Sequence, residues 1–247
     1  MTTDVPVDPV AKAELAPEGA LRAGLVEAPS PGLIFVSRRR DGGLDGVTAL
    51  LAGDLAAGLG LALAPVLFPN SGALAAALQA GAVDVGFMPV DETRRRMVAF
   101  GPGYYDLEST YLASAASGFA AVADVDRPGA RVVAIDGTTT FRASSRTLTH
   151  TRPEPVDSVA EAIARMRDGR ADALALSRDT LRSVVPQVPG SRIVSGGFQH
   201  TQVAVAVPPD RPAALACVGA WLDAAKRSGL VRRAFDAHGF ADEPVAA

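Results

Sequence analysis

The sequence predicts an α/β fold of two similar lobes, each an open, mostly parallel sheet flanked by helices. Three observations carry this. Residues 21–88 alternate apolar extended runs with helical stretches, the order that a parallel sheet with crossover helices requires. The pattern at 78–85 (Leu-Gln-Ala-Gly-Ala-Val-Asp-Val) returns at 166–173 (Met-Arg-Asp-Gly-Arg-Ala-Asp-Ala): helix end, glycine, then an aspartate that opens an apolar strand. And 247 residues, 48% hydrophobic and 21% charged, suffice for one large domain or two lobes of about 100 residues each.

In chain order, residues 1–17 are acidic and proline-containing and read as a disordered tail. Residues 21–26 form a first strand, broken by Pro29, Pro31 and Gly32, and 33–37 a second extended piece. Arg38 to Gly43 reads as a solvated hairpin tip. Thr48 is a candidate cap for a helix carrying Leu51, Leu55 and Leu59, which Gly60 ends. Residues 61–68 are the next strand, Ser71 a cap for the helix that stops at Gly81, and 83–88 a buried strand. Residues 104–113 then carry the chain away from this lobe.

The second half repeats the scheme. Residues 121–129 make a short helix and turn, and 131–135 a strand that feeds Gly137, Thr138, Thr139 and Thr140 and a helix to Leu148. Val156 begins another extended segment, Ser158 caps a helix over 159–167, and 171–176 is a buried strand. Residues 202–207 return, followed by a helix over 212–229 with Asp210 as its cap and Trp221 in the core, and a last helix over 231–238.

Composition excludes several function classes. A formal net charge of −3 gives no general attraction to nucleic acid or to anionic lipid. The lone cysteine, Cys217, sits in an apolar run and reads as a core thiol. The three histidines offer no pair at metal-ligand spacing, which argues against zinc or iron, and no cofactor motif is present. No apolar run approaches the roughly 20 residues that span a bilayer. The first residues lack a basic start and an apolar core, so a cytoplasmic location is expected, and an exported one if a leader was removed.

Residues 77–86, followed by Thr93, Arg94, Phe100, Tyr104 and Tyr105, resemble the amino-acid-type (type II) periplasmic solute-binding proteins. The likeness extends over residues 20–240. It implies a first lobe of 18–106 plus 203–242, a second of 107–202, and closure about a hinge of crossing strands on a small ligand in an interlobe crevice. An ABC transporter partner is implied only for an exported chain. Arg94 falls where such proteins hold the ligand's carboxylate, and a guanidinium fork matches that group bidentately. The alternative is a solvated helix start, the reading taken for Arg95 and Arg96.

Gly137, Thr138, Thr139 and Thr140 are the second candidate. A strand feeding a glycine turn and a helix aims backbone N–H groups and the positive helix end at one place, though an ordinary capped helix has the same pattern. Asn70, Ser71 and Gln202 are further candidates to touch a ligand, with Asn70 and Ser71 also readable as caps. The likeness is incomplete. Where such proteins place an acid for the ligand's ammonium, this chain has Ser177, and the usual aromatic positions hold Ser30 or Leu33 and Ser71. Asp91 could rebuild the ammonium partner. The expected function is therefore binding of a small carboxylate. Two alternatives remain: a lyase like the cyclohexadienyl dehydratases of similar scaffold, or a sensory or scaffold protein with a degenerate cleft. At the dehydratase acid position stands Thr180, with Asp179 beside it; a displaced acid there or at Asp91 would favour the enzyme.

Overall fold

The computed structural model describes residue 3 and residues 8–246. The chain divides into two compact units. The first takes the chain up to Glu27, Pro31–Asp106 and everything from Gln202 on; the second is Ala28–Ser30 with Leu107–Thr201. From the N-terminus run α1 (Pro9–Leu15), β1 (Ala20–Glu27), β2 (Phe35–Arg38), β3 (Leu44–Asp45) and α2 (Val47–Gly58). Next come β4 (Ala62–Phe68), α3 (Ser71–Gln79), β5 (Val85–Pro89) and α4 (Glu92–Arg95). β6 (Ala99–Ala113) leads into the second unit, with α5 (Val122–Val125), β7 (Val132–Ile135), α6 (Thr139–Thr147) and β8 (Pro153–Val156). It continues through α7 (Val159–Arg167), β9 (Ala173–Ser177), α8 (Arg178–Val184) and β10 (Arg192–Ile193). β11 (Gln199–Val207) returns to the first unit, which α9 (Pro212–Arg227) and α10 (Leu230–Ala237) complete.

In the first unit β1 is central. It pairs in parallel with β4 along its length, with β5 and with β2, while β11 lies antiparallel on β5. In the second, β7 pairs in parallel with β8 and β9, and β6 runs antiparallel to β9 with Ser109 opposite Ser177. β5, β7 and β9 are buried along their whole length, as strands covered by helices on both faces must be.

The repeated glycine–aspartate pattern has a structural cause. In the first unit the wholly buried Asp84 accepts from the backbone N–H of Arg22 (3.0 Å) and from its Nε (3.0 Å) and Nη2 (2.8 Å). Arg22 Nη2 also donates to the carbonyl of Gly81 (2.9 Å). In the second, Asp172 accepts from the N–H, Nε and Nη2 of Arg131, whose Nη1 reaches the carbonyl of Gly169 (2.6 Å). Gly81 (φ +68°) and Gly169 (φ +66°) both end their helices in the left-handed region, where a side chain is strained. Each clamp locks the start of two neighbouring strands.

Several sequence expectations need correction. Of the expected disordered tail, Pro9–Leu15 is helix, while residues 1, 2 and 4–7 lie outside the described residues. Asp8 caps it by accepting from Val10 N–H (2.9 Å), Pro9 suits its first turn, and Ala11 and Leu15, four apart, are buried on the side that packs on α9. Three caps also differ. Gly46, not Thr48, precedes α2, and Thr48 instead donates to the carbonyl of Ile34 (3.2 Å). Asn70 rather than Ser71 caps α3, and Arg211 rather than Asp210 precedes α9. Val156 ends β8 instead of beginning a strand.

Candidate functional site

Ligands of open α/β sheets bind outside the carboxyl ends of the strands, and the candidate residues of each unit collect there. In the first unit, Asn70 accepts from Ala73 N–H (2.8 Å) and so satisfies an amide of the first turn of α3. Ser71 is thereby the first helical residue, with its hydroxyl released from capping. Beyond β5, Asp91 accepts from the N–H of Arg94 (2.8 Å), which sets the short turn of α4 and directs Arg94 back toward the strand end. The guanidinium donates from Nη1 to the carbonyl of Pro89 (2.7 Å) and from Nη2 to Ser71 Oγ (2.6 Å). Arg94 is 1% exposed, so the solvated alternative does not hold. Burial pushes its pKa down to about 9, the response of a cation removed from water.

Gln202 is drawn to the same rim through its backbone, whose carbonyl accepts from Val90 N–H (2.8 Å). Its side chain is exposed and donates to Asp106 (3.2 Å). Five sequence candidates of this unit are thus neighbours in the fold: Asn70, Ser71, Asp91, Arg94 and Gln202. Tyr104 and Tyr105 are core residues of this unit and meet Phe235 edge-on.

The second unit builds its candidate site at the ends of β7 and β9. Gly137 (φ +68°) turns the chain into α6. Thr138 caps that helix, accepting from Phe141 N–H (3.0 Å) and donating to the carbonyl of Ile135 (2.6 Å). The N–H groups of Thr139 and Thr140 head the helix and have no carbonyl of their own helix to bond. Thr139 is 1% exposed, and its hydroxyl has no hydrogen-bond partner among the described residues. Asp136 at the rim is exposed and accepts from Gly137 N–H (2.8 Å).

Beside this helix head the sequence singles out Ser177, Asp179 and Thr180 but misses Ser109. Ser109 of β6 lies 3.4 Å from Thr140 Oγ1 and also donates to Gln199 (3.3 Å). Opposite it on β9, Ser177 donates to Thr180 (2.8 Å), and Thr180 donates to Asp179 (3.3 Å). All of Ser109, Thr140, Ser177, Asp179 and Thr180 are buried. The available signal was a pair of hydroxyls, Ser109 and Thr110, inside an otherwise apolar crossing strand. Of the two acids weighed for a lyase, Asp91 caps α4 and Asp179 is wholly buried. His200 is exposed, and among the described residues no cluster of His, Cys, Asp or Glu could hold a metal ion.

A family model described as bacterial extracellular solute-binding proteins, family 3, matches residues 26–239. No curated protein matches. Among solved structures, a mutant of ArgBP from T. maritima superposes with a TM-score of 0.82 at 26% identity, covering 92% of this chain and 98% of that one. The ancestral amino-acid-binding protein AncCDT-1, a precursor of cyclohexadienyl dehydratase, gives 0.79 at 24% identity over 92% and 98%. The solute receptor for L-cysteine of Neisseria gonorrhoeae gives 0.85 at 20% identity over 96% and 99%. At this identity the last two speak for the fold, a two-lobed α/β binding-protein architecture.

Proposed function

Because the chain belongs to the bacterial extracellular solute-binding proteins, family 3, we propose that it reversibly binds a small carboxylate-bearing ligand. Taking each unit by itself, we assign the anion-holding role to Arg94 in the first and to the head of α6, at Thr138, Thr139 and Thr140, in the second. The single observation that carries this reading is the guanidinium of Arg94, buried at the carboxyl end of β5 and steered by Ser71 and Pro89. A buried cation is stabilised by a carboxylate placed against it. Within the second unit the head of α6 offers a device of the same kind, amides and a helix dipole that favour an anion, with the Thr139 hydroxyl, unpartnered among the described residues, as a further donor. In an exported form, such a protein would present its ligand to an ABC-type importer.

The test is a thermal-shift screen of small carboxylic acids and amino acids against the intact chain. A ligand at a hundred times its Kd adds about 2.7 kcal/mol of stability, or roughly 5–10 °C for a chain of this size. Arg94→Ala should abolish the shift. Since that change also strips a partner from Ser71, Thr139→Val serves as a second variant and should weaken binding while leaving the unliganded melting temperature close to the parent's. A hit that survives both changes unaltered removes the proposal.

A further inference from the structure

Two buried hydroxyls of the second unit, Ser177 and Thr180, make bonds of fixed direction, and those directions describe the ligand. A hydroxyl has one proton to give and lone pairs to accept with, whereas a carboxylate only accepts. Thr180 gives its proton to Asp179 (3.3 Å), so toward Ser177 it is an acceptor, and Ser177 gives its own proton to Thr180 (2.8 Å). Ser177 is 2% exposed, and its oxygen is left with accepting capacity only. One strand over, Ser109 stands opposite Ser177 in the sheet register and its hydroxyl lies 3.4 Å from Thr140 Oγ1 at the head of α6. The head of α6 therefore offers donors, and Ser177 beside it offers an acceptor.

Building on the carboxylate reading above, we propose that the ligand carries a neutral hydrogen-bond donor next to its carboxylate, a hydroxyl met by Ser177, and is a small 2-hydroxy acid. A 2-oxo acid would set a carbonyl oxygen against the lone pairs of Ser177, two acceptors face to face. An ammonium is a donor too, but a buried cation needs a carboxylate in contact. Asp179, wholly buried, stands two hydrogen bonds away from the Ser177 oxygen. Glu108 is engaged by Arg178, and Asp136 is exposed on the N–H of Gly137.

The experiment is calorimetric titration of the full chain with two matched sets that differ only at carbon 2: lactate, pyruvate and L-alanine; 2-hydroxyglutarate, 2-oxoglutarate and L-glutamate. Within a set that binds, the hydroxy acid should be favoured by about tenfold or more over both counterparts. Ser177→Ala should bring the hydroxy and oxo acids to within about threefold of each other. Thr180→Val frees the proton of Ser177 to turn outward, so the oxo acid should gain relative to the hydroxy acid. An oxo or amino acid bound as tightly as the hydroxy acid by the parent chain overturns the proposal. So does a preference unchanged in Ser177→Ala. Failure of the carboxylate reading looks different: no member of either set binds, or binding persists in Arg94→Ala, and both readings then fall.

Discussion

In the first unit, Asp84 is wholly buried and holds two arginines, Arg22 at 2.8 Å and Arg211 at 2.7 Å. In the second, Asp172 grips Arg131 with the same fork, but the side chains are 19% and 53% exposed. The geometry is repeated and the environment is not. Breaking a buried pair strands a charge where water cannot reach it, whereas an exposed pair hands its partners back to solvent. The opposite ends of the same sheets contrast in another way. The first unit presents a buried cation, Arg94, and the second a row of neutral hydroxyls. Strand starts are alike because they solve one packing problem; strand ends differ in the polar groups they carry, and those are the groups proposed to bind.

Asp84→Ala is the largest effect the comparison foresees. It leaves Arg22, Arg211 and a strand amide without their acceptor and should cost about 3–5 kcal/mol. That corresponds to roughly 10 °C or more in melting temperature. Asp172→Ala, read by the same urea unfolding curves, should cost several times less. Equal losses would mean that burial is not what separates the two clamps.

Gly81→Ala and Gly169→Ala sharpen the point, because backbone strain does not depend on solvent. Both glycines sit near φ +67° within two degrees, and a Cβ at that angle costs about 1–2 kcal/mol. The two substitutions should therefore destabilise alike, while the two aspartate changes do not. Neither added carbon is crowded, the nearest atom being Arg211 Nη2 at 3.6 Å from Gly81, so a large inequality between the glycines in urea titration would show that backbone strain is not what the two turns share.

How far the sequence discloses this follows from the range of each interaction. Strand and helix order was legible because hydrophobic periodicity is local, and Asp84 and Asp172 were visible as a repeat. Their arginines were not, since Arg22 lies 62 residues from Asp84 and Arg131 41 residues from Asp172. Arg94 could be singled out by its distance from Phe100 and Tyr104, but its partner Ser71 was mistaken for a cap because Asn70 and Ser71 are both good cap residues. α1 was missed because acidity and proline suggest disorder until Ala11 and Leu15 find α9. α8 was missed because it has only seven residues and its apolar side is just Leu181 and Val184, too short to show a period. The direction of the bonds from Ser177 to Asp179 has no sequence signature at all.

The smallest effect lies in the acid response of the exposed clamp. The guanidinium of Arg131, and after it the backbone N–H of the same residue, hold the Asp172 carboxyl below its ordinary value. The folded pKa is thus lower than the unfolded one, near 3.9. The unfolded chain takes up the proton first, so the stability that Asp172 contributes is complete above that value and fades as pH falls through the folded pKa. Asp172→Asn removes the titration. The gap between parent and variant in urea midpoint should be constant from neutral pH down to about 5 and narrow steadily below about 4. A gap that stays constant on further acidification would show that Asp172 acts through shape and hydrogen bonding, and the contrast with Asp84 would then concern desolvated bonds rather than charge.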